Sequence, residues 1–144
     1  MIEVRMIYDL EAVIKVWPIV SKDMTQLMNF CHRDMNLDIV FNDIVRQNAL
    51  LWLIFRDEKY VALIITKVIM APLGDKSLLI YGAYSKEKLE KDEFAHAASQ
   101  LNEFAKDQGC TDMEFYTIRD KAFERRMKEF NWEPKYTLFR KEVK

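Results

Sequence analysis

Three lysines, Lys86, Lys88 and Lys91, crowd into "SKEKLEKD" at residues 85–92, where a strand gives way to a helix. Such an entry is where α/β proteins cradle phosphate, because the first turn of a helix offers unpaired N–H groups to an anion. Glycine normally makes that cradle, and the nearest one here, Gly82, lies inside the preceding strand. The lysines can attract phosphate only as point charges. Glu87, Glu90, Asp92 and Glu93 interleave with them, so a solvated helix entry with pairs such as Glu87 and Lys91 explains the run as well. Gly82 inside a strand marks a bulge, a close approach by a ligand, or room for a helix above.

Other reactive side chains are few. Cys31 with His32, Cys110 and His96 lack the spacing of a metal site or a CxxC pair. The expectation is two free thiols in a reducing compartment. Arg119, Lys121, Arg125, Arg126 and Lys128 gather charge near the end, but Glu124 and Glu129 dilute it and no exposed aromatics interleave.

These residues need elements to position them. "IEVRMI" alternates as a half-buried strand does. A helix starts after Asp9, with Leu10, Val13, Ile14 and Trp17 at helical spacing, and Pro18 is expected to interrupt it. "KDMTQLMNF" and "LDIVFNDIVRQ" read as one or two further helical segments. Met24, Met28 and Met35 with Phe30 and Phe41 read as core, with an adaptable binding surface as the alternative. "LLWLIFR" and "YVALIITKVI" read as strands joined through "DEK", the first apolar on both faces and therefore central. A turn at "PLGDK" leads to the strand "SLLIYGAY".

After the lysine run, Phe94, Ala97, Ala98, Leu101 and Ala105 trace one helical face, and Gly109 falls where a left-handed cap belongs. "DMEFYTI" follows as a strand, then a helix with Phe123, Met127 and Phe130 on one face, ending at Asn131. "KYTLFRKEV" reads as a last, edge strand. The segment 77–118 predicts a right-handed parallel crossover. The whole is expected to be one α/β domain over residues 1–144, with a mixed, mostly antiparallel central sheet and helices on both faces.

A balance of 22 basic and 23 acidic residues argues against duplex DNA or an anionic membrane as a whole-surface partner. The start carries charges at Glu3, Arg5, Asp9, Glu11 and Lys15, so no signal peptide is expected, and no apolar run suffices for a span. A cytoplasmic protein is expected.

This element order, together with "LNEFAKDQGCTDMEFYTIRDKAFERRMKEFNWEP", resembles the GNAT superfamily of acyl-CoA-dependent N-acyltransferases. Asn131 and Trp132 stand where that family usually has glycine and phenylalanine. The pattern is also similar to small GNAT-like proteins encoded by bacteriophages, some of which resemble virion components. The resemblance implies that "SLLIYGAY" and "DMEFYTI" splay apart and that Tyr81, Gly82, Ala83 and Tyr84 border an acyl group. It places the pyrophosphate of acetyl-CoA at residues 85–92, near Lys86, Lys88 and Lys91, without the family's glycines. It also puts Met127 where many members carry the tyrosine that protonates the departing thiolate, and a thioether has no proton to give.

Two expectations follow. The first is a GNAT-like protein that has lost ordinary acetyl transfer and works by binding protein partners, as a phage structural or assembly component in the virion or host cytoplasm, with room for a homo-oligomer. The second is a divergent N-acyltransferase acting from acetyl-CoA on a primary amine, its proton coming from Tyr84, Tyr116 or water.

Overall fold

The computed structural model describes residues 1–28, 36–115, 121–134 and 141–143. Its elements run β1 (Ile2–Ile7), α1 (Leu10–Met28), α2 (Leu37–Val45), β2 (Leu50–Arg56), β3 (Lys59–Met70), β4 (Lys76–Ser85), α3 (Lys91–Asp107), β5 (Asp112–Phe115) and α4 (Lys121–Lys128). Five strands form one sheet in the order β1-β2-β3-β4-β5. The first four are antiparallel neighbours, and β5 lies parallel to β4 after the crossover through α3.

Strand alternation divides β2 between two helical layers. Leu51 and Leu53 pack with Leu63 and Ile65 against Val13, Val20 and Met24 of α1 and Val40 and Ile44 of α2. Ile54 meets Ala97 of α3 on the opposite face, and Trp52 meets Leu101 and Ala105 there. The mixed sheet with helices on both faces is as expected from the apolar character of "LLWLIFR". The indole N–H of Trp52 donates to Thr66 Oγ1 at 2.8 Å, so a buried polar pair ties β2 to β3.

The helix ends follow local chemistry. Asn36 Oδ1 accepts from the N–H groups of Asp38 and Ile39, capping α2. At the end of α3, Gly109 takes φ +76° while Cys110 N–H bonds Ala105 O and Gly109 N–H bonds Lys106 O, a Schellman motif. Asn131 takes φ +67° after α4, with the same pair of bonds to Met127 O and Lys128 O. Between β2 and β3, Asp57 and Glu58 both have positive φ, the type I′ geometry of a tight hairpin.

Pro18 does not interrupt α1, which continues to Met28 and absorbs "KDMTQLM". The missing proline N–H deprives the Ile14 carbonyl of its partner. Both residues lie on the exposed side of the helix, where water can satisfy that carbonyl. The expected strand at residues 135–143 falls mostly outside the described residues, as do Phe30, Cys31, His32, Met35, Tyr116 and Arg119. The side chains of Met28, Lys121 and Phe123 are outside them too.

Candidate functional site

The register places two irregularities beside the lysine run. Ile54 pairs with Ala62 and Phe55 with Tyr60, which leaves Val61 as an extra residue in β3. Ile65 pairs with Gly82 and Thr66 with Ile80, which leaves Tyr81 as an extra residue in β4. The bulge expected at Gly82 therefore falls one residue earlier. Val61 O accepts the N–H of Lys86 at 2.7 Å, so the end of β4 is anchored to the first bulge.

A bulge shifts which face the following side chains use. Tyr81 and Tyr84 both pack against the α1/α2 core. Gly82 is buried opposite Ile65, whose own side chain belongs to that core. Ala83 is exposed. The Tyr81 hydroxyl is buried and lacks a hydrogen-bond partner among the described residues. Burial, and then the charge of Asp43, pushes its pKa up to about 12. Tyr60 instead donates to Asp23 Oδ2 at 2.7 Å, and burial followed by that bond raises its pKa still further.

At residues 85–92 the dominant group is Arg56, from the end of β2. Its Nε and Nη2 donate to the two oxygens of Glu93 at 2.8 and 2.6 Å, a bidentate pair. Nη1 reaches Glu87 at 3.2 Å and Nη2 also reaches Lys88 O at 2.9 Å. Lys59 Nζ holds the other oxygen of Glu87 at 3.1 Å. Glu93 is also the third residue of α3 and accepts the Glu90 N–H at 2.9 Å, within a capping box. The Ser85 hydroxyl donates to Glu87 O and tightens the turn.

The lysines are dispersed around this network. Lys86 Nζ sits 5.2 Å from the centroid of the Tyr60 ring. Lys91 pairs with Glu129, beyond α4, at 3.4 Å, so the expected Glu87–Lys91 pair is replaced by three longer-range ones, Lys91–Glu129, Arg56–Glu87 and Lys59–Glu87. Lys88 is exposed. Arg56 was missing from the sequence reading; only its position at the strand end, opposite an acidic helix entry, could have suggested it.

Hydrogen bonds from Arg56, then from the Glu90 backbone, hold the Glu93 carboxyl down to about 2, against an ordinary 4.5. A depressed carboxyl contributes stability that is complete above its unfolded pKa and is lost as pH falls toward its folded one. Acid titration followed by circular dichroism should therefore show wild-type stability falling between about pH 4.5 and pH 2. Glu93→Gln should lower the neutral-pH melting temperature and flatten that acid slope. An unchanged slope would contradict the role given to this pair.

Met127 is buried, and its carbonyl is committed to the Trp132 N–H. The Phe130 ring meets that of Phe94 of α3 at a tilt, with centroids 4.7 Å apart. The paired part of β4 and β5 runs from Ser77↔Asp112 to Ile80↔Phe115. The point where the strands were expected to splay lies next to residues 116–120, outside the described residues. Among the described residues there is no group of His, Cys, Asp or Glu that could hold a metal. No described helix is long and apolar enough to cross a membrane. A groove of about 550 Å³, lined in part by Met6, Tyr8, Leu50, Thr66 and Phe104, lies at the other end of the sheet from the lysine run.

The architecture is the GNAT acetyltransferase fold. The chain is similar to a GNAT family acetyltransferase from Staphylococcus aureus, with TM-score 0.67, 13% identity and 99% and 98% of the two chains covered. It is also similar to a predicted acetyltransferase from Clostridium acetobutylicum with acetyl-CoA, with TM-score 0.68, 11% identity and 99% and 96% covered. An aminoglycoside N-acetyltransferase in complex with CoA gives TM-score 0.70, 11% identity and 99% and 95% covered. No protein-family model and no curated protein matches the chain.

Proposed function

We propose that this chain keeps the GNAT fold without ordinary acetyl transfer and acts by binding protein partners. The carrying observation is the clamp of Arg56 on Glu93 and Glu87 at the entry to α3. A pyrophosphate at that turn would meet carboxylates that already hold the Arg56 guanidinium and a backbone N–H, while a second guanidinium, that of Arg126, reaches the turn at Leu89 O (3.5 Å). Bringing a second anion there costs repulsion as well as the loss of those bonds. The residues present do not fit the pyrophosphate of acetyl-CoA. Lys91 is paired with Glu129, and Lys86 lies over the Tyr60 ring in a weak contact. Met127, buried and aprotic, supports the same reading.

A phage structural or assembly role, with virion proteins as partners, belongs to this proposal through the sequence resemblance. Leu10, Ile14 and Ile19 of α1 and Ile39 of α2 are each about half exposed or more, and supply apolar surface for such contacts.

The competing reading is an N-acyltransferase with acetyl-CoA along Tyr81, Gly82, Ala83 and Tyr84 and its phosphates on Lys86, Lys88 and Lys91. The bulge at Tyr81 and the acetyl-CoA and CoA named with two of the similar structures favour it. A thiol-release assay with acetyl-CoA and a panel of primary amines separates the two. The expected result is no CoA release above the protein-free rate. Saturable, amine-dependent release would return the chain to the transferases.

A further inference from the structure

Aromatic rings from adjacent strands line the α1/α2 side of the sheet near the lysine run. Phe55 of β2 and Tyr60 of β3 are paired in register and meet edge to face, with centroids 6.4 Å apart. Each ring already carries one of the chain's own cations. The Arg5 guanidinium lies 4.7 Å from the Phe55 centroid, and Lys86 Nζ lies 5.2 Å from that of Tyr60.

The two cations are held differently. Arg5 is also tied to Glu3 by bonds of 2.7 and 2.9 Å, so its place on Phe55 is doubly fixed. Lys86 is exposed and has no ion pair among the described residues, so its ammonium is held on Tyr60 only by the ring. An exposed contact of this kind is weak and exchangeable.

The ring itself is well prepared. Its hydroxyl donates to Asp23, which fixes the ring plane. Donation to a carboxylate also raises electron density on the phenol, deepening the negative face that attracts a cation. Asp23 adds a negative charge nearby.

We propose that the face of the half-buried Tyr60 ring under Lys86 is a binding site for the ammonium group of a partner protein's lysine, occupied by Lys86 in the free chain. A lysine from outside would replace Lys86 on the ring, so no new burial of charge is required. This rests on the reading that the chain acts through protein contacts, and it gives that partner a chemistry.

The test is an NMR titration of the full chain with N-acetyl-lysine methylamide, following the Tyr60 ring protons, with the norleucine analogue as neutral control. Lys86→Met, which vacates the ring, should bind the lysine probe about threefold tighter than the parent, the scale of an exposed cation–π contact. Tyr60→Leu in that background should abolish the response. Should that variant not fold, Tyr60→Phe keeps a ring without the Asp23 bond and should bind more weakly than Lys86→Met alone. Equal shifts with the norleucine probe, or no gain on Lys86→Met, would overturn the proposal. Acyl-CoA is absent from the titration, so its failure leaves the thiol-release result untouched.

Discussion

Leu63→Ala should lower the unfolding free energy by about 2–5 kcal/mol, read from urea melts. Leu63 sits on the third of five strands, fully buried, and pairs in register with Leu53 on one side and Tyr84 on the other. It packs in the cluster that joins β2 and β3 to both α1 and α2. Truncation leaves a cavity that no terminal element can relax into. The same residue backs Tyr84, so the variant should also loosen the end of β4. A loss below about 1 kcal/mol would mean that the helical layer does not close over this strand as described.

Tyr81→Phe should act in the opposite direction and stabilise the protein by about 1 kcal/mol or more. A buried hydroxyl without a partner costs roughly 1–3 kcal/mol of desolvation, and phenylalanine keeps the ring while removing that cost. The hydroxyl is buried and unpartnered among the described residues, while the ring packs on the α1/α2 core. Destabilisation on this substitution would show that the oxygen has a partner, such as an internal water reaching Asp43. The result also bears on chemistry, because a hydroxyl facing the core with a pKa near 12 is a poor proton donor to a departing thiolate.

Much of the frame was legible in the sequence wherever one local rule decided the outcome. The Phe94-to-Ala105 stripe, Gly109 and Asn131 gave α3 and the caps of α3 and α4, because periodicity and left-handed caps are properties of neighbouring residues. "LLWLIFR" gave an interior strand, since a strand covered on both faces is apolar at successive positions. Pro18 leaves α1 unbroken because the Ile14 carbonyl it orphans lies on the exposed side of the helix, where water satisfies it. The site was less legible. Parity along β4 cannot be counted through a bulge, so the sequence did not reveal that Tyr81 and Tyr84 share the α1/α2 face. Glu87 has a lysine four residues on, yet it is held by Arg56, 31 residues away in sequence, and by Lys59. The helix entry that looked like neutral solvated charge is a clamped acidic turn.

On the proposed reading, that clamp is what keeps acetyl-CoA from this turn. The carboxylates of Glu87 and Glu93 stand at the turn where the resemblance would put a pyrophosphate, while Lys91 pairs with Glu129, Lys86 lies over the Tyr60 ring and Lys88 is exposed. Isothermal titration of acetyl-CoA into the full chain at neutral pH tests this most directly. The account predicts no heat of binding up to millimolar ligand. Micromolar binding that weakens about tenfold, or 1.4 kcal/mol, when Lys86 and Lys88 are replaced by alanine would contradict it.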